Sequence, residues 1–448
     1  MAEQYKAPRG TQDILPENSG VWEWIEQTLF NTASDYGFSE IRTPIFEHTE
    51  VFSRGVGDTT DVVQKEMYTF NDKGNRSITL RPEMTAGTVR AVVEHGIING
   101  TLPVKVCYTG PCFRYEKPQA GRLREFHQFG VECFGTDNPA SDAEVILLAN
   151  SALKNLGLNN LSLEINSIGC PNCRKNYHKA LIEYFSSRQS ELCETCRDRL
   201  MRNPMRIFDC KSPICAGICK NAPLMINYLC DECREHFDDV KLHLDSAGLK
   251  YTVNPKIVRG LDYYTKTVFE FISGDIGAQS TVCGGGRYDG LVEQLGGPHT
   301  PALGFAMGIE RLILVLQNMG SEFIPECPTD IYLGSLGKEA SVYATHIADL
   351  LRKDGFSVET DIVGRSAKAQ MKYANKIGAM WSLMLGENEL NTKTAVLRNM
   401  QTGESKEVTL PDGLFSAIYD SEIDDALQKL TDSVEETDSF LKDIKKGD

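Results

Sequence analysis

Long apolar runs are missing from this chain: no stretch approaches the roughly 18 consecutive apolar residues that a membrane-spanning helix needs. The first residues, MAEQYKAPRGTQDILPE, hold no apolar segment of the kind a secretory signal carries. No GxxxxGK[ST] loop is present, which removes the P-loop way of cradling a nucleotide. No internal repeat or low-complexity block occurs, which sets aside repeat architectures. Positive charge is also scarce: 47 Lys and Arg face 62 Asp and Glu, a formal net charge of −15. These absences lead to the expectation of a cytoplasmic protein with no membrane association. In that setting the 14 cysteines read as thiols or metal ligands rather than disulfides. With 41% hydrophobic and 24% charged content over 448 residues, the composition is that of about two to four ordinary globular domains.

Net acidity does not exclude a polyanionic partner. Residues 413–448 hold ten Asp/Glu against four Lys, so this tail contributes −6 and the rest of the chain −9. A polyanion responds to the local patch. Such a patch exists in GPCFRYEKPQAGRLREFHQFGVE, which gathers Arg114, Lys117, Arg122 and Arg124 among Phe113, Tyr115, Phe126 and Phe129. An anion is expected there.

Apolar spacing predicts a helix over Trp22–Tyr36 (Trp22, Ile25, Leu29, Ala33) that stops at Gly37. Phe38–Phe46, with Pro44, reads as an extended edge segment. Ile78–Leu80 reads as a strand running into a helix, RPEMTAGTVRAVVEHG, whose early residues include Glu83 and Thr85. Val104–Tyr115 and Arg124–Phe134 read as strands around the polar loop EKPQAGR. After a helix at Ala143–Leu156 comes a segment, Cys170 to Cys233, with nine cysteines. Strand character returns at Val268–Phe271, followed by a Gly-rich turn, CGGGRYDGL, and an amphipathic helix at Phe305–Met319. Pro325 and Pro328 read as a linker. From Asp330 the order strand, helix, strand, helix, strand implies a small parallel or mixed α/β domain.

A period of two along Arg124–Phe134 puts Arg124, Phe126, Gln128, Gly130 and Glu132 on one face, and Glu125, His127, Phe129, Val131 and Cys133 on the other. The first face suits a pocket floor, with Gly130 leaving space, or else the wet side of an antiparallel sheet.

RGTQDILPE, TLRPEMTAG, GPCFRYEKPQAGRLREFHQFGVE, RGLDYYTKTVFEF and ALGFAMGIERL, in that order, resemble the signatures of the histidyl-tRNA synthetases, a family of class II aminoacyl-tRNA synthetases. RGLDYYTKTVFEF is specific to that family and its paralogues, whereas FRYE and GIER are shared more widely in class II. The resemblance implies an α+β fold: a class II antiparallel sheet flanked by helices, a mostly helical insertion and a C-terminal α/β anticodon-binding domain. The boundaries read from the sequence are 1–166 and 253–325 for the catalytic core, 167–252 for the cysteine-rich insertion, 328–412 for the α/β domain and 413–448 for the acidic tail. The implied reaction is ATP-dependent ligation of L-histidine to tRNA(His) through histidyl-adenylate, with Mg²⁺, by a homodimer whose interface lies near Phe38–Phe46. A catalytically inactive paralogue, such as a regulatory subunit of ATP phosphoribosyltransferase, is the alternative. It is set aside because such paralogues usually lack the C-terminal domain.

Two anions must meet for adenylation, so positioning and charge neutralisation carry the chemistry. On the resemblance, Arg114 and Arg259 are the catalytic cations. Arg114, Glu116, Phe126 and Arg311 hold ATP. Glu83, Met84, Thr85, Gln128, Glu132, Arg259, Tyr263 and Tyr264 hold histidine, with Glu132 and Tyr264 on the two imidazole nitrogens. Gln119 and Arg122, in the EKPQAGR loop, are the candidates for the tRNA acceptor end. Arg365, Lys368, Lys372 and Lys376 make a basic stripe at helical spacing, expected to face the tRNA backbone; otherwise it is a solvated face. Cys170, Cys173, Cys230 and Cys233 form two C-x-x-C pairs able to hold a structural zinc, or they are reduced thiols on helices. The tail carries helix-like spacing (Ile423, Leu427, Leu430, Val434) and no assigned role.

Overall fold

The computed structural model describes residues 5–57, 60, 62–208, 210, 212–274, 281–320 and 329–419. The chain divides into two compact units, residues 1–325 and 326–448. The expected linker prolines, 325 and 328, lie outside the described residues.

The first unit is built on an eight-stranded sheet in the order Ser39–Glu40, Val104–Phe113, Glu125–Phe134, Ala302–Gly308, Thr281–Arg287, Thr265–Ser273, Leu161–Ser167, Thr252–Val253. The inner strands pair antiparallel; the two short marginal strands pair parallel. Alternation decides which face is dry. Phe129, Val131 and Cys133, every second residue of Glu125–Phe134, are buried under helix Pro16–Asp35 (Trp22, Ile25, Leu29, Ala33), helix Pro139–Asn155 (Val145, Ile146, Ala149, Leu153) and helix Ile309–Asn318 (Leu312, Val315, Leu316). Helix Pro16–Asp35 begins on a proline, as a first turn permits, and its chain reverses at Gly37 with φ +79°. A Leu→Ala change at Leu29, fully buried in this layer, costs about 2–5 kcal/mol.

The opposite face of the sheet is left for the site, and its register explains how. One row across five strands runs Glu270, Gly284, Ala306, Gly130, Tyr108. The next runs Gly304 beside Glu132. Small residues at the centre of both rows form a trough that larger side chains fill from the sides.

Three local expectations are corrected here. CGGGR is not a turn: residues Thr281–Arg287 form a central strand. Ala302–Gly308 is a strand too, so the helix expected from Phe305 begins at Ile309. Glu83 precedes its helix, Thr85–Glu94, and its carboxylate accepts the Thr85 and Ala86 amides at 2.8 and 2.9 Å. Polar competition for backbone donors puts such a residue at a helix entry, not inside it.

The cysteine-rich segment is helical, with Pro171–Ser186, Glu194–Arg202, Pro213–Cys219 and Asp231–Ser246. Tyr177, Leu181, Phe185, Leu200 and Ile207 form an apolar centre continuous with Val89, Phe134, Tyr263 and Val268 of the core, whereas Phe237, Val240 and Leu244 of the last helix join the sheet's helical layer. A three-stranded sheet, Phe46–His48, Ser77–Leu80 and Tyr68–Asn71, lies at the other margin and exposes Phe46 and Phe70.

In the second unit, strands Val358–Thr360, Ile331–Ser335 and Trp381–Leu385 are parallel, and Thr394–Asn399 and Ser405–Thr409 add an antiparallel pair that the sequence pattern did not announce. Helices Lys338–Lys353 and Ala367–Lys376 cover it. Leu414, Ala417 and Ile418 are buried in this unit's core, so the start of the expected tail belongs to it. Ile423, Leu427, Leu430 and Val434 lie outside the described residues. Arg365 lies before the helix; its guanidinium donates to Asp361 at 2.9 Å and sits over the Tyr373 ring. The basic stripe is therefore Lys368, Lys372 and Lys376, all exposed, opposite the buried Gln370 and Ala374.

Candidate active site

The trough in the sheet opens into a cavity of about 290 Å³. Glu83, Thr85, Arg114, Glu116, Arg122, Phe126, Gln128, Glu132, Arg259, Tyr263, Tyr264 and Arg311 all line it. The structure thus gathers residues from segments more than two hundred positions apart, from Glu83 to Arg311. Two of the sequence candidates are not in its wall. Met84 packs behind it against Tyr108 and Cys112. Gln119 lines a separate cavity beside Trp22 and Gln317. Arg124 is also turned away, stacked on the Tyr115 ring at 3.9 Å.

The glycines do not leave the open space expected of them. A β-carbon on Gly130 would come within 2.6 Å of the Tyr108 ring, one on Gly304 within 2.0 Å of a Glu132 oxygen, and one on Gly284 within 2.5 Å of the Arg259 guanidinium. Each absent side chain makes room for a neighbouring functional group instead of a turn or a ligand.

Glu132 is buried at the floor, and both its oxygens accept tyrosine hydroxyls: Oε1 from Tyr108 at 2.7 Å and Oε2 from Tyr288. Burial lifts this carboxyl to about 8, against the opposing pull of the two hydroxyls. Tyr263 stacks edge-on to Tyr288 with ring centres 5.5 Å apart, and Tyr264 lies 4.7 Å from Tyr263. A carboxyl ringed by aromatic hydroxyls is a recognition site for a flat, polar, hydrogen-bonding ring.

Arg259 forms an ion pair with Glu270, and its guanidinium carbon is 5.5 Å from the centre of the Tyr264 ring. Burial pulls its proton affinity down, but Glu270 and Tyr264 together raise it by more, so the guanidinium stays charged at any working pH. Its Nε is buried with no hydrogen-bond partner in the protein. A buried donor left in that state is a ready partner for a substrate oxygen.

At the other end, Arg114 donates from Nε to the Pro82 carbonyl at 2.8 Å and lies over Phe126 at 5.2 Å. Arg311 is anchored to the Thr281 carbonyl at 2.7 Å. Burial lowers the Arg311 proton affinity, and the charges of Arg122 and Arg114 lower it further. Cations crowded enough to oppose one another await a polyanion. Arg122 belongs to this group: the EKPQAGR loop folds back through paired Gln119 and Arg122 amides, and Arg122 pairs with Glu116 inside the cavity. Glu310 is held by the His127 amide and Nδ1 at 2.9 and 3.0 Å.

The sequence reading missed Tyr108, Tyr288, Glu270 and the spacing role of the glycines. A signal existed for Glu270, the one acid inside the apolar run VFEF. Tyr108 and Tyr288 are legible only once the register sets them around Glu132.

Of the cysteines, Cys170, Cys173, Cys230 and Cys233 bring their sulfurs within 4.8 Å of one another. Cys170 and Cys173 are 3.6 Å apart at sulfur, too far for a disulfide, and the Cys230 amide donates to the Cys173 sulfur at 3.0 Å. Four thiols on this scale fit a tetrahedral metal ion.

An antiparallel sheet flanked by helices, with a motif arginine laid over its open face beside a polar recognition pocket, is the catalytic fold of a class II aminoacyl-tRNA synthetase. The histidyl-tRNA synthetase family model matches residues 10–172 and 226–312, and an anticodon-binding domain model matches residues 330–414. The chain belongs to the histidyl-tRNA synthetase family. It is 55% identical to the histidine–tRNA ligase of Caldanaerobacter subterraneus subsp. tengcongensis and 54% identical to that of Acetivibrio thermocellus, covering 90% of this chain and 97% of each relative. The apo histidyl-tRNA synthetase of S. aureus superposes with a TM-score of 0.79 at 41% identity, over 93% of this chain and all of that one.

Proposed function

We propose that the chain ligates L-histidine to tRNA(His) in two steps at this one cavity. A histidine carboxylate oxygen attacks the α-phosphorus of ATP and pyrophosphate leaves; the terminal ribose hydroxyl of the tRNA then attacks the acyl carbon and AMP leaves. The observation that carries the reading is that Arg114, Arg259 and Glu132 share one cavity wall.

Glu132, fixed by Tyr108 and Tyr288, accepts from one imidazole N–H, and Tyr264 serves the other nitrogen. A pocket of this kind rejects apolar isosteres because its own groups would be left unpaired. Glu83, Thr85 and Gln128 receive the α-ammonium group. Arg259, held in place by Glu270, spans the histidine carboxylate and the α-phosphate, where charge develops in the transition state. Arg114 forks the α-phosphate oxygens. Phe126 stacks on the adenine and Arg311 covers its other face. Arg122 lines this cavity among these cations and adds to the neutralisation of the triphosphate, a different role from the contact with the tRNA acceptor end expected of it. Glu270 and Glu310 are the hard oxygen donors that suit a Mg²⁺ which takes most of its ligands from phosphates. Such an ion supplies charge neutralisation on the leaving pyrophosphate.

Lys368, Lys372 and Lys376 face the tRNA backbone. Cys170, Cys173, Cys230 and Cys233 hold a structural zinc. Exposed Ile45, Phe46 and Phe70 support a homodimer interface around the three-stranded sheet. A cytoplasmic location fits the substrates. Identity of more than half with histidine–tRNA ligases over 90% of the chain disfavours the regulatory-paralogue alternative.

Histidine-dependent ATP–pyrophosphate exchange, followed by charging of tRNA(His), tests the whole reading. Absence of exchange in folded protein supplied with both substrates would overturn it.

A further inference from the structure

Four further cysteines remain outside everything described so far. Cys193, Cys196, Cys210 and Cys215 also bring their sulfurs within 4.8 Å of one another. Cys193 and Cys210 are 3.7 Å apart at sulfur. A zinc–thiolate bond of about 2.3 Å in a tetrahedron sets sulfurs about 3.8 Å apart, whereas a disulfide needs about 2.05 Å. Cys193 caps helix Glu194–Arg202 and Cys196 lies in its first turn, the arrangement that Cys170 and Cys173 adopt at helix Pro171–Ser186. Backbone amides point at the sulfurs: Cys193 N–H to Cys215 at 3.4 Å and Ser212 N–H to Cys210 at 3.4 Å. Such bonds satisfy thiolate lone pairs around a metal.

Between the second and third of these cysteines lies the short helical turn Pro204–Ile207. Arg206, buried in it, donates to Asp262 at 3.1 Å and to the Gly260 carbonyl, and Asn203 donates to Asp262 at 3.0 Å. Gly260 lines the cavity next to Arg259, and Asp262 lies within the same stretch, RGLDYY. The loop that carries the arginine is thus gripped by a side chain whose own position is closed by the four thiols.

We infer that Cys193, Cys196, Cys210 and Cys215 form a second tetrathiolate zinc site, and that the ion acts as a clamp holding Arg206 against the Arg259 loop. The first quartet leans on its neighbour in a similar way, since Arg174 donates to the Tyr264 carbonyl. The second site stands independently of the first. Its link to catalysis rests on the reading of Arg259 given above. Arg206 is a positioning residue.

Metal analysis of the purified full-length chain tests the site, with Cys173→Ser and Cys196→Ser as variants. The expected result is two zinc per chain in the wild type and one in each variant, with a zinc-edge absorption fit of four sulfurs at about 2.3 Å. One zinc that survives Cys196→Ser and disappears in Cys173→Ser overturns the second site and leaves the first standing. Iron in place of zinc, or no metal with all thiols titratable, overturns the inference outright. If a variant fails to fold, stepwise release from the wild type with a mercurial still counts the ions: two equivalents support the site and one refutes it. For the clamp, Arg206→Ala is expected to lower kcat of pyrophosphate exchange about tenfold or more with the ATP KM unchanged and two zinc retained. An unchanged kcat would overturn the coupling.

Discussion

The guanidinium of Arg259 lies over Gly284, so closely that a β-carbon there would come within 2.5 Å of Nη2. Glycine at this strand position lets the cation reach Glu270, Gly284's own cross-strand partner. Gly284→Ala is therefore expected to push the guanidinium out of line and cost about tenfold to a hundredfold in adenylation rate, because small displacements of a positioning group are that costly. Thermal unfolding near the wild-type temperature, with reduced histidine-dependent exchange, is the signature. A fully active alanine variant would mean that the close contact carries nothing.

Glu132 gives a pH dependence whose sign can be worked out. Its carboxyl is lifted to about 8 by burial, and the ionised form accepts an imidazole N–H far better than the neutral acid, one of whose oxygens carries a proton. Raising the pH from 7 to 8.5 ionises it and removes a population penalty of roughly five- to tenfold, so the histidine KM falls over that interval. In Glu132→Gln the KM is high and flat with pH, while the ATP KM is little changed. The stability effect has the opposite sense: the folded chain holds this proton to higher pH than the unfolded one. Its contribution to stability is full below the ordinary carboxyl range and is lost as pH rises through about 8.

On the far side of the sheet, Arg287 and Asp142 form a fully buried pair, joined by His236 at 3.3 Å. Burial works to raise the Asp142 carboxyl, but the Arg287 charge and the hydrogen bonds from His236 and Arg287 together bring it down to about 2. Arg287→Met leaves that carboxylate unpaired and is expected to cost about 3–5 kcal/mol in urea unfolding. The pair's contribution is present above the ordinary carboxyl range and is lost as pH falls through about 2. A loss under 1 kcal/mol would show that the pair contributes little.

In the second unit, Lys368→Ala with Lys372→Ala is expected to weaken tRNA binding and shrink the logarithmic salt dependence by about 1.4–1.8, as two phosphate contacts would. Pyrophosphate exchange without tRNA is expected to stay at the wild-type rate. An unchanged salt dependence assigns these lysines to a merely solvated face.

The helices and strands of the core were largely legible in the sequence because one face of each is covered. Trp22, Ile25, Leu29 and Ala33 recur at helical spacing and lie where that spacing puts them. Misreadings fall where local signals conflict with tertiary register. Glycine density in CGGGR reads as a turn, yet it thins a central strand at Gly284 to admit Arg259, as Gly304 on the next strand admits Glu132. Arg365 matches the lysine spacing but is held before the helix by Asp361. Tyr108 and Tyr288 give no periodic signal of their own; their role appears only through cross-strand neighbours that sequence order does not reveal. The cysteine pairs were readable as metal ligands, but the Cys210–Cys215 spacing does not repeat C-x-x-C, and so the second quartet went unseen.

Arg259→His is the sharpest probe of the single-cavity account. Adenylate formation is measured in one turnover, alongside equilibrium binding of histidine and of ATP. The expected result is a rate lower by about a hundredfold or more, with folding intact and ATP affinity nearly unchanged. A variant that forms adenylate at the wild-type rate would contradict the placement of Arg259 between the two reacting anions.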